Sequence, residues 1–228
     1  MATKYKGYMG SVLDVDLSTG KIGEYPVTDT DRELFLGGRF LSTKILWDEL
    51  ESGVDPLSPD NLLIVMTSPL TGTGAPSTSR YDILAKSPLA GAIGHSNSGR
   101  NFGIHLKRAG YDGIVVRGKS EKPVYLEIDN GDVHIRDASE IWGKDTQESQ
   151  KALGKGGTMA IGVAGENLVK FASVVSQERM HGRTGMGAVM GSKNLKGMVA
   201  RGSQKVPLHK PDEFKQVIKS WIKMLQNH

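Results

Sequence analysis

Three segments hold the residues with the clearest chemical use: 68–80, 95–103 and 179–193. Each is rich in glycine, serine or threonine, and each carries arginine: Arg80, Arg100, then Arg179 and Arg183. Small residues leave backbone N–H groups accessible, and a guanidinium offers a planar fork that matches phosphate. Together the segments fit a pocket for an anionic, phosphate-bearing ligand, each charge-assisted contact contributing about 1.5–3 kcal/mol. The same composition describes ordinary turn loops, and composition alone leaves both readings open.

Other chemistries find little support. Gly185-Met186-Gly187-Ala188-Val189-Met190-Gly191 is a near miss for a dinucleotide fingerprint, without the βαβ unit or the acidic residue roughly 20 positions on. Neither a P-loop nor a G-x-S-x-G nucleophile elbow occurs. The histidines (His95, His105, His134, His181, His209, His228) are scattered without metal-binding spacing. There are no cysteines, so this chain supplies no disulfide, thiolate zinc site or cysteine-ligated iron–sulfur cluster. Carboxylates are numerous, but sequence does not pair them for acid–base work.

Composition sets the frame. The 228 residues suffice for one large domain or two small ones. Lys+Arg 29 against Asp+Glu 25 leaves a net charge of +4, dispersed along the chain. That describes a solvated mixed surface and gives no reason to expect nucleic acid as a partner. No run is long and apolar enough for a membrane span or a signal peptide, so no membrane and a cytoplasmic location are expected. The 29 glycines approach double the ~7% background and imply many tight turns or close backbone approaches.

The elements that must position the three segments follow from periodicity. Residues 8–17 and 22–25 flank a Ser18-Thr19-Gly20-Lys21 turn and predict a hairpin. Residues 31–50 have helical spacing, broken at Gly37-Gly38. Strands are predicted at 62–67, 81–85, 92–94, 113–117, 124–128, 133–135, 159–163, 169–175 and 196–201. Asn130-Gly131 is the strongest turn signal. Helical turns are predicted at 104–109, 139–153 (interrupted at Gly143) and near Ala188. The segments 95–103 and 182–191 are read as loops.

Hairpins and helices without regular βα alternation predict an α+β fold with mixed sheets. A helix near Trp47 or Trp142, then an apolar strand, then an arginine-bearing loop suggests a duplicated arrangement. A last helix starts at Pro211-Asp212-Glu213, with proline in its first turn and acids at the positive end of its dipole. Its stripe of Phe214, Val217, Ile218, Trp221, Ile222 and Leu225 needs a surface to cover.

A family resemblance runs through the same segments. Asp55-Pro56-Leu57-Ser58-Pro59-Asp60-Asn61, Ser68-Pro69-Leu70-Thr71-Gly72-Thr73, Lys86-Ser87-Pro88-Leu89, Asn97-Ser98-Gly99 and Ala109-Gly110-Tyr111-Asp112 come in order. Lys119-Ser120-Glu121-Lys122-Pro123-Val124-Tyr125, Ile135-Arg136-Asp137-Ala138-Ser139, Trp142-Gly143-Lys144, Ala164-Gly165-Glu166-Asn167-Leu168-Val169 and the run from Gly187 to Lys196 complete the set. Over roughly residues 5 to 210 the chain resembles the N-terminal domain of aldehyde ferredoxin oxidoreductases.

That resemblance implies a base on which a tungsten or molybdenum bis-pterin cofactor sits, with magnesium bridging the pterin phosphates. It implies cofactor-binding roles for Arg80, Asn97, Ser98, Gly99, Arg179, Met180, Gly182 and Arg183. Arg80 and Arg179 would each clamp one pterin, and the main-chain oxygens of Asn97 and Met180 would face the magnesium. No catalytic residue is carried over. Met180, Phe40, Val163, Gly74 and Arg100 depart from commoner family residues, and the bulk of Met180 could crowd the cofactor.

The family oxidises aldehydes to carboxylic acids with ferredoxin as electron acceptor, using a four-iron four-sulfur cluster whose cysteines lie in later domains. The expected organisation is a pterin-binding domain over residues 1–208 and, over 209–228, a helix that starts the next domain or docks a partner. The expected partners are a cysteine-bearing domain or subunit and, through it, ferredoxin, with self-association of the chain alone. The competing function is a non-catalytic cofactor carrier or scaffold.

Overall fold

The computed structural model describes residues 3–227. The first hairpin, β1 (Ser11–Asp16) and β2 (Ile22–Tyr25), forms as its alternation predicts. Its turn is held by the Asp16 carboxylate, which accepts from the Ser18 N–H and the Thr19 hydroxyl at 2.9 Å each. A capping box between Thr28 and Asp31 starts α1 (Asp29–Phe35). The chain then breaks at Gly37 before α2 (Gly38–Glu49). The break requires glycine, because a Cβ on Gly37 would stand 2.8 Å from the Thr67 carbonyl.

There follow β3 (Leu63–Met66), β4 (Tyr81–Lys86), β5 (Ile93–Ser98), α3 (Asn101–Arg108) and β6 (Tyr111–Arg117). The second half holds β7 (Val124–Asp129), β8 (Asp132–Asp137), α4 (Thr146–Leu153), β9 (Gly157–Ala160) and α5 (Val163–Glu166). It continues with β10 (Val174–Ser176), β11 (Arg179–His181), α6 (Met186–Ser192), β12 (Leu195–Arg201) and the tail helix α7 (Pro211–Gln226).

The strands form two six-stranded sheets, ordered β2-β1-β6-β3-β4-β5 and β8-β7-β12-β9-β10-β11. Each strand of the first corresponds to the strand six later in the second. In both, one pair is parallel, β1 with β6 and β7 with β12, and the others are antiparallel. The α+β fold and its duplication are therefore present strand for strand.

The halves exchange helices. α3 packs on β9 and β12 of the second sheet as well as on β6, and α6 packs on β3 and β4 of the first as well as on β12. One core therefore gathers Leu63, Val65 and Ile83 from one sheet, Leu126, Met159 and Met198 from the other, and Phe102, Leu106, Val189 and Met190 from the two helices. The far face of the first sheet is covered by Leu41, Ile45 and Leu46 of α2. Leu153 of α4 does the same for the second.

Four sequence expectations are corrected. Residues 95–98, read as loop, belong to β5, whose inward positions are Gly94, Ser96 and Ser98. Gly94 is small because Met186 of α6 presses on it, a Cβ there lying 2.8 Å from Met186 Cε, and Ser96 meets His181 and Arg183. An inward face without apolar side chains gives no alternation to read. The helical turns expected near Ala188 form α6, which begins at Met186 and so takes over the second half of the segment 182–191 read as loop. In the predicted helix 139–153 only Thr146–Leu153 is helical, starting where the Asp145 carboxylate accepts from the Gln147 and Glu148 N–H groups at 2.8 Å. The apolar runs 159–163 and 169–175 shorten to β9 and β10, because Val163 opens α5 and Leu168 turns the chain at φ +57°.

α7 buries none of its residues, and Val217, Ile222 and Leu225 of its apolar stripe are exposed. Among the described residues, no helix is long and apolar enough to cross a membrane.

Candidate functional site

The duplication sets the two halves' last hairpins side by side. β5 ends at Ser98 and is followed by Gly99-Arg100 and α3; β11 ends at His181 and is followed by Gly182-Arg183 and, beyond Thr184-Gly185, α6. Asn97 and Met180 are thus the penultimate residues of equivalent strands. The strands are tied by His181, whose Nδ1 lies 2.9 Å from the Ser96 carbonyl, and by the Arg183 N–H, which donates to Ser96 Oγ at 3.2 Å.

Between these ends lies a cleft of about 650 Å³, lined by Ser77, Ser79, Arg80, Asn97, Ser98, Gly99, Arg100, Glu178, Arg179 and Met180. Six of the eight residues expected from the sequence line it: Arg80, Asn97, Ser98, Gly99, Arg179 and Met180. Gly182 and Arg183 lie beyond that lining, at the exit of β11. Sequence reasoning passed over Ser77, Ser79 and Glu178 as site residues. Ser77 and Ser79 lay within a flagged loop, and only adjacency to Arg179 could have signalled Glu178.

Three guanidinium groups face one carboxylate in this cleft. Arg80 donates through Nε to the Asn97 side-chain oxygen and through Nη2, at 3.5 Å, to the Asn97 main-chain oxygen. Arg100 pairs with Glu178 at 2.7 Å across the mouth. Arg100 sits at φ +89°, a region that favours glycine. Arg179 is exposed and makes no hydrogen bond or ion pair among the described residues, so its fork is available. The cleft has the positive charge and the exposed small-residue backbone that an anionic ligand requires. The Met180 side chain is also exposed, and it lies over Gly182, where a Cβ would meet its Cγ and Sδ at 3.4 Å.

The floor of the site is buried. Tyr81 and His181 are fully buried with ring centroids 4.7 Å apart. Because Nδ1 donates to the Ser96 carbonyl, Nε2 is the unprotonated nitrogen, and it has no partner among the described residues. Burial lowers the pKa of His181 from 6.5 to about 4. A depressed histidine favours the fold while neutral, so its contribution is complete above pH 6.5 and is lost as the pH falls towards 4. That difference is worth about 3 kcal/mol at most. Denaturant titrations at pH 7 and pH 4.5 should show the wild type losing more stability on acidification than His181→Gln; equal losses would contradict the assignment.

Comparison with known proteins places this geometry. The family model described as aldehyde ferredoxin oxidoreductase, N-terminal domain, matches residues 12–202. The tungsten-containing aldehyde ferredoxin oxidoreductase of Pyrococcus furiosus is 47% identical over 231 residues, covering 97% of this chain and 38% of that protein. The WOR-like subunit of an aliphatic sulfonate oxidoreductase from the same organism is 40% identical, covering 96% and 38%. Among solved structures, the active site complex BamBC of benzoyl coenzyme A reductase, in complex with 1,5-dienoyl-CoA, contains a chain that superposes with a TM-score of 0.94 at 38% identity. The match covers 97% of this chain and 35% of that one. The chain thus spans well under half the length of the relatives it matches.

Proposed function

The chain belongs to the aldehyde ferredoxin oxidoreductase family, and on that premise we propose that it is the cofactor-binding N-terminal domain of a tungsten- or molybdenum-pterin oxidoreductase. The observation that carries this reading is the convergence of Arg80, Arg179, Asn97 and Met180 on one cleft from the equivalent ends of two duplicated sheets. Arg80 and Arg179 each hold the phosphate of one pterin. The main-chain oxygens of Asn97 and Met180, with the phosphates, offer the oxygen donors that magnesium takes. Ser98 and Gly99 present backbone beside Arg80, and Gly182 and Arg183 do so beside Arg179. At Gly99 the nearest neighbour that an added Cβ would meet is Ser79 Oγ, at 3.4 Å.

When bound, the metal centre supplies two-electron oxidation, here of an aldehyde to a carboxylic acid with ferredoxin as acceptor. Without cysteine the chain holds no cluster of its own, so the four-iron four-sulfur cluster comes from a cysteine-bearing region or subunit and the domain is not active alone. The exposed stripe of α7 docks that region. Deleting residues 211–228 should abolish the association in light scattering; retained association would remove this role.

The reading is tested by anomalous scattering at the tungsten edge from crystals of the complete protein. The metal peak is expected over the cleft between Arg80 and Arg179; a peak remote from both would reject it.

A further inference from the structure

Arg80 reaches the cleft already aimed, and the aiming starts two residues further along its own strand. Asp82 faces Asn97 across the β4–β5 pair, and His95 stands two residues before Asn97, so the three share one face of the sheet. Asp82 Oδ1 accepts from Asn97 Nδ2 at 2.7 Å and lies 2.6 Å from His95 Nε2. The Tyr81 carbonyl accepts from the same Nδ2 at 3.3 Å. Asn97 Oδ1 is left on the other side, where it takes the Arg80 Nε–H.

A side-chain amide has a donor end and an acceptor end, and its hydrogen-bond partners decide which way round it lies. A carboxylate and a carbonyl only accept, so they fix the Asn97 nitrogen towards themselves. Turned over, the amide would set its oxygen against the Asp82 oxygen and its N–H groups against the Arg80 guanidinium. Both contacts would be repulsive. The carboxylate is itself confined: a Cβ on Gly38 would stand 2.6 Å from Asp82 Oδ2, and Gly38 adopts φ +51°. The second half has no such arrangement, because Met180 ends β11 where Asn97 ends β5, and Arg179 has no partner among the described residues.

We propose that Asp82 is a positioning residue for Arg80, holding the Asn97 amide in the one orientation that presents the guanidinium to an incoming phosphate. Asp82 touches no ligand itself and acts through Asn97. A carboxylate beside an anion site costs affinity by like-charge repulsion, and here that cost is offset by the orientation of a cation. The proposal rests on the proposed function, in which Arg80 clamps a phosphate.

The test uses the complete protein loaded with its metal, and follows the tungsten or molybdenum retained during dialysis by mass spectrometry. Asp82→Asn should lose metal about tenfold faster than wild type. Because the carboxylate works through Arg80, Asp82→Asn should add nothing further in an Arg80→Ala background. With Arg179→Ala the two effects should multiply. A carboxylate of merely structural value would act equally in both backgrounds. Circular dichroism confirms that each variant is folded. Gly38→Ala, which displaces the carboxylate and keeps its charge, should follow the same pattern and decides the matter should Asp82→Asn unfold. Wild-type retention by Asp82→Asn, or its full effect on top of Arg80→Ala, would overturn the proposal and leave the Arg80 clamp standing. Wild-type retention by Arg80→Ala would remove the clamp and the positioning role together.

Discussion

Alanine at Arg80 or at Arg179 is expected to strip the complete protein of most of its tungsten or molybdenum and pterin while leaving its fold intact. The two arginines stand on the two halves of the duplicated structure, so neither replaces the other. Arg80 is already oriented by Asn97, which removes part of the ordering cost when a phosphate arrives. Arg179 has no partner among the described residues to give up. Each loss deletes a charge-assisted contact worth about 1.5–3 kcal/mol, or about ten- to more than a hundredfold in affinity. Both side chains lie at the surface of this domain, so its thermal unfolding should not move. Metal analysis by mass spectrometry beside circular dichroism reads the outcome. Wild-type metal in both variants would sink the assignment, and normal metal in only one would restrict it to the other.

Gly191→Val should be the most damaging single change to the fold. A Cβ on Gly191 would stand 1.9 Å from the Gly165 carbonyl, one on Gly187 2.6 Å from the Ser173 carbonyl, and one on Gly165 2.8 Å from the Gly187 carbonyl. These obstacles are backbone, which cannot rotate away. Overpacking commonly costs about 1–3 kcal/mol, and the cost here should reach or exceed the top of that range. The consequence travels, because α6 sets Met186 against Gly94 of β5 and Val189 and Met190 into the core shared by both sheets. Urea denaturation tests it: a midpoint unchanged from wild type would show that the α5–α6 contact is looser than described. The glycine spacing that nearly matched a dinucleotide fingerprint thus serves helix packing, with no phosphate loop involved.

Legibility followed local physics. The β7–β8 hairpin was readable because Asn130 and Gly131 carry the positive φ values its turn demands, +47° and +104°. The α1–α2 break was readable for a similar reason, at Gly37-Gly38. β5 was not, since Gly94 answers to Met186 and Ser96 to His181 and Arg183, partners almost a hundred positions away. The arginine-bearing segments were visible as composition, yet composition could not tell a pocket from turns. Their convergence is a property of the duplicated topology, and it brings in Glu178, which no local pattern marked.

The central claim is that this domain cradles a pterin-bound metal, and metal and pterin analysis of the complete protein purified from its native source tests it most directly. Tungsten or molybdenum is expected together with pterin, both lost together when the cofactor is released by denaturation. Protein that is folded, full length and free of both would contradict the account.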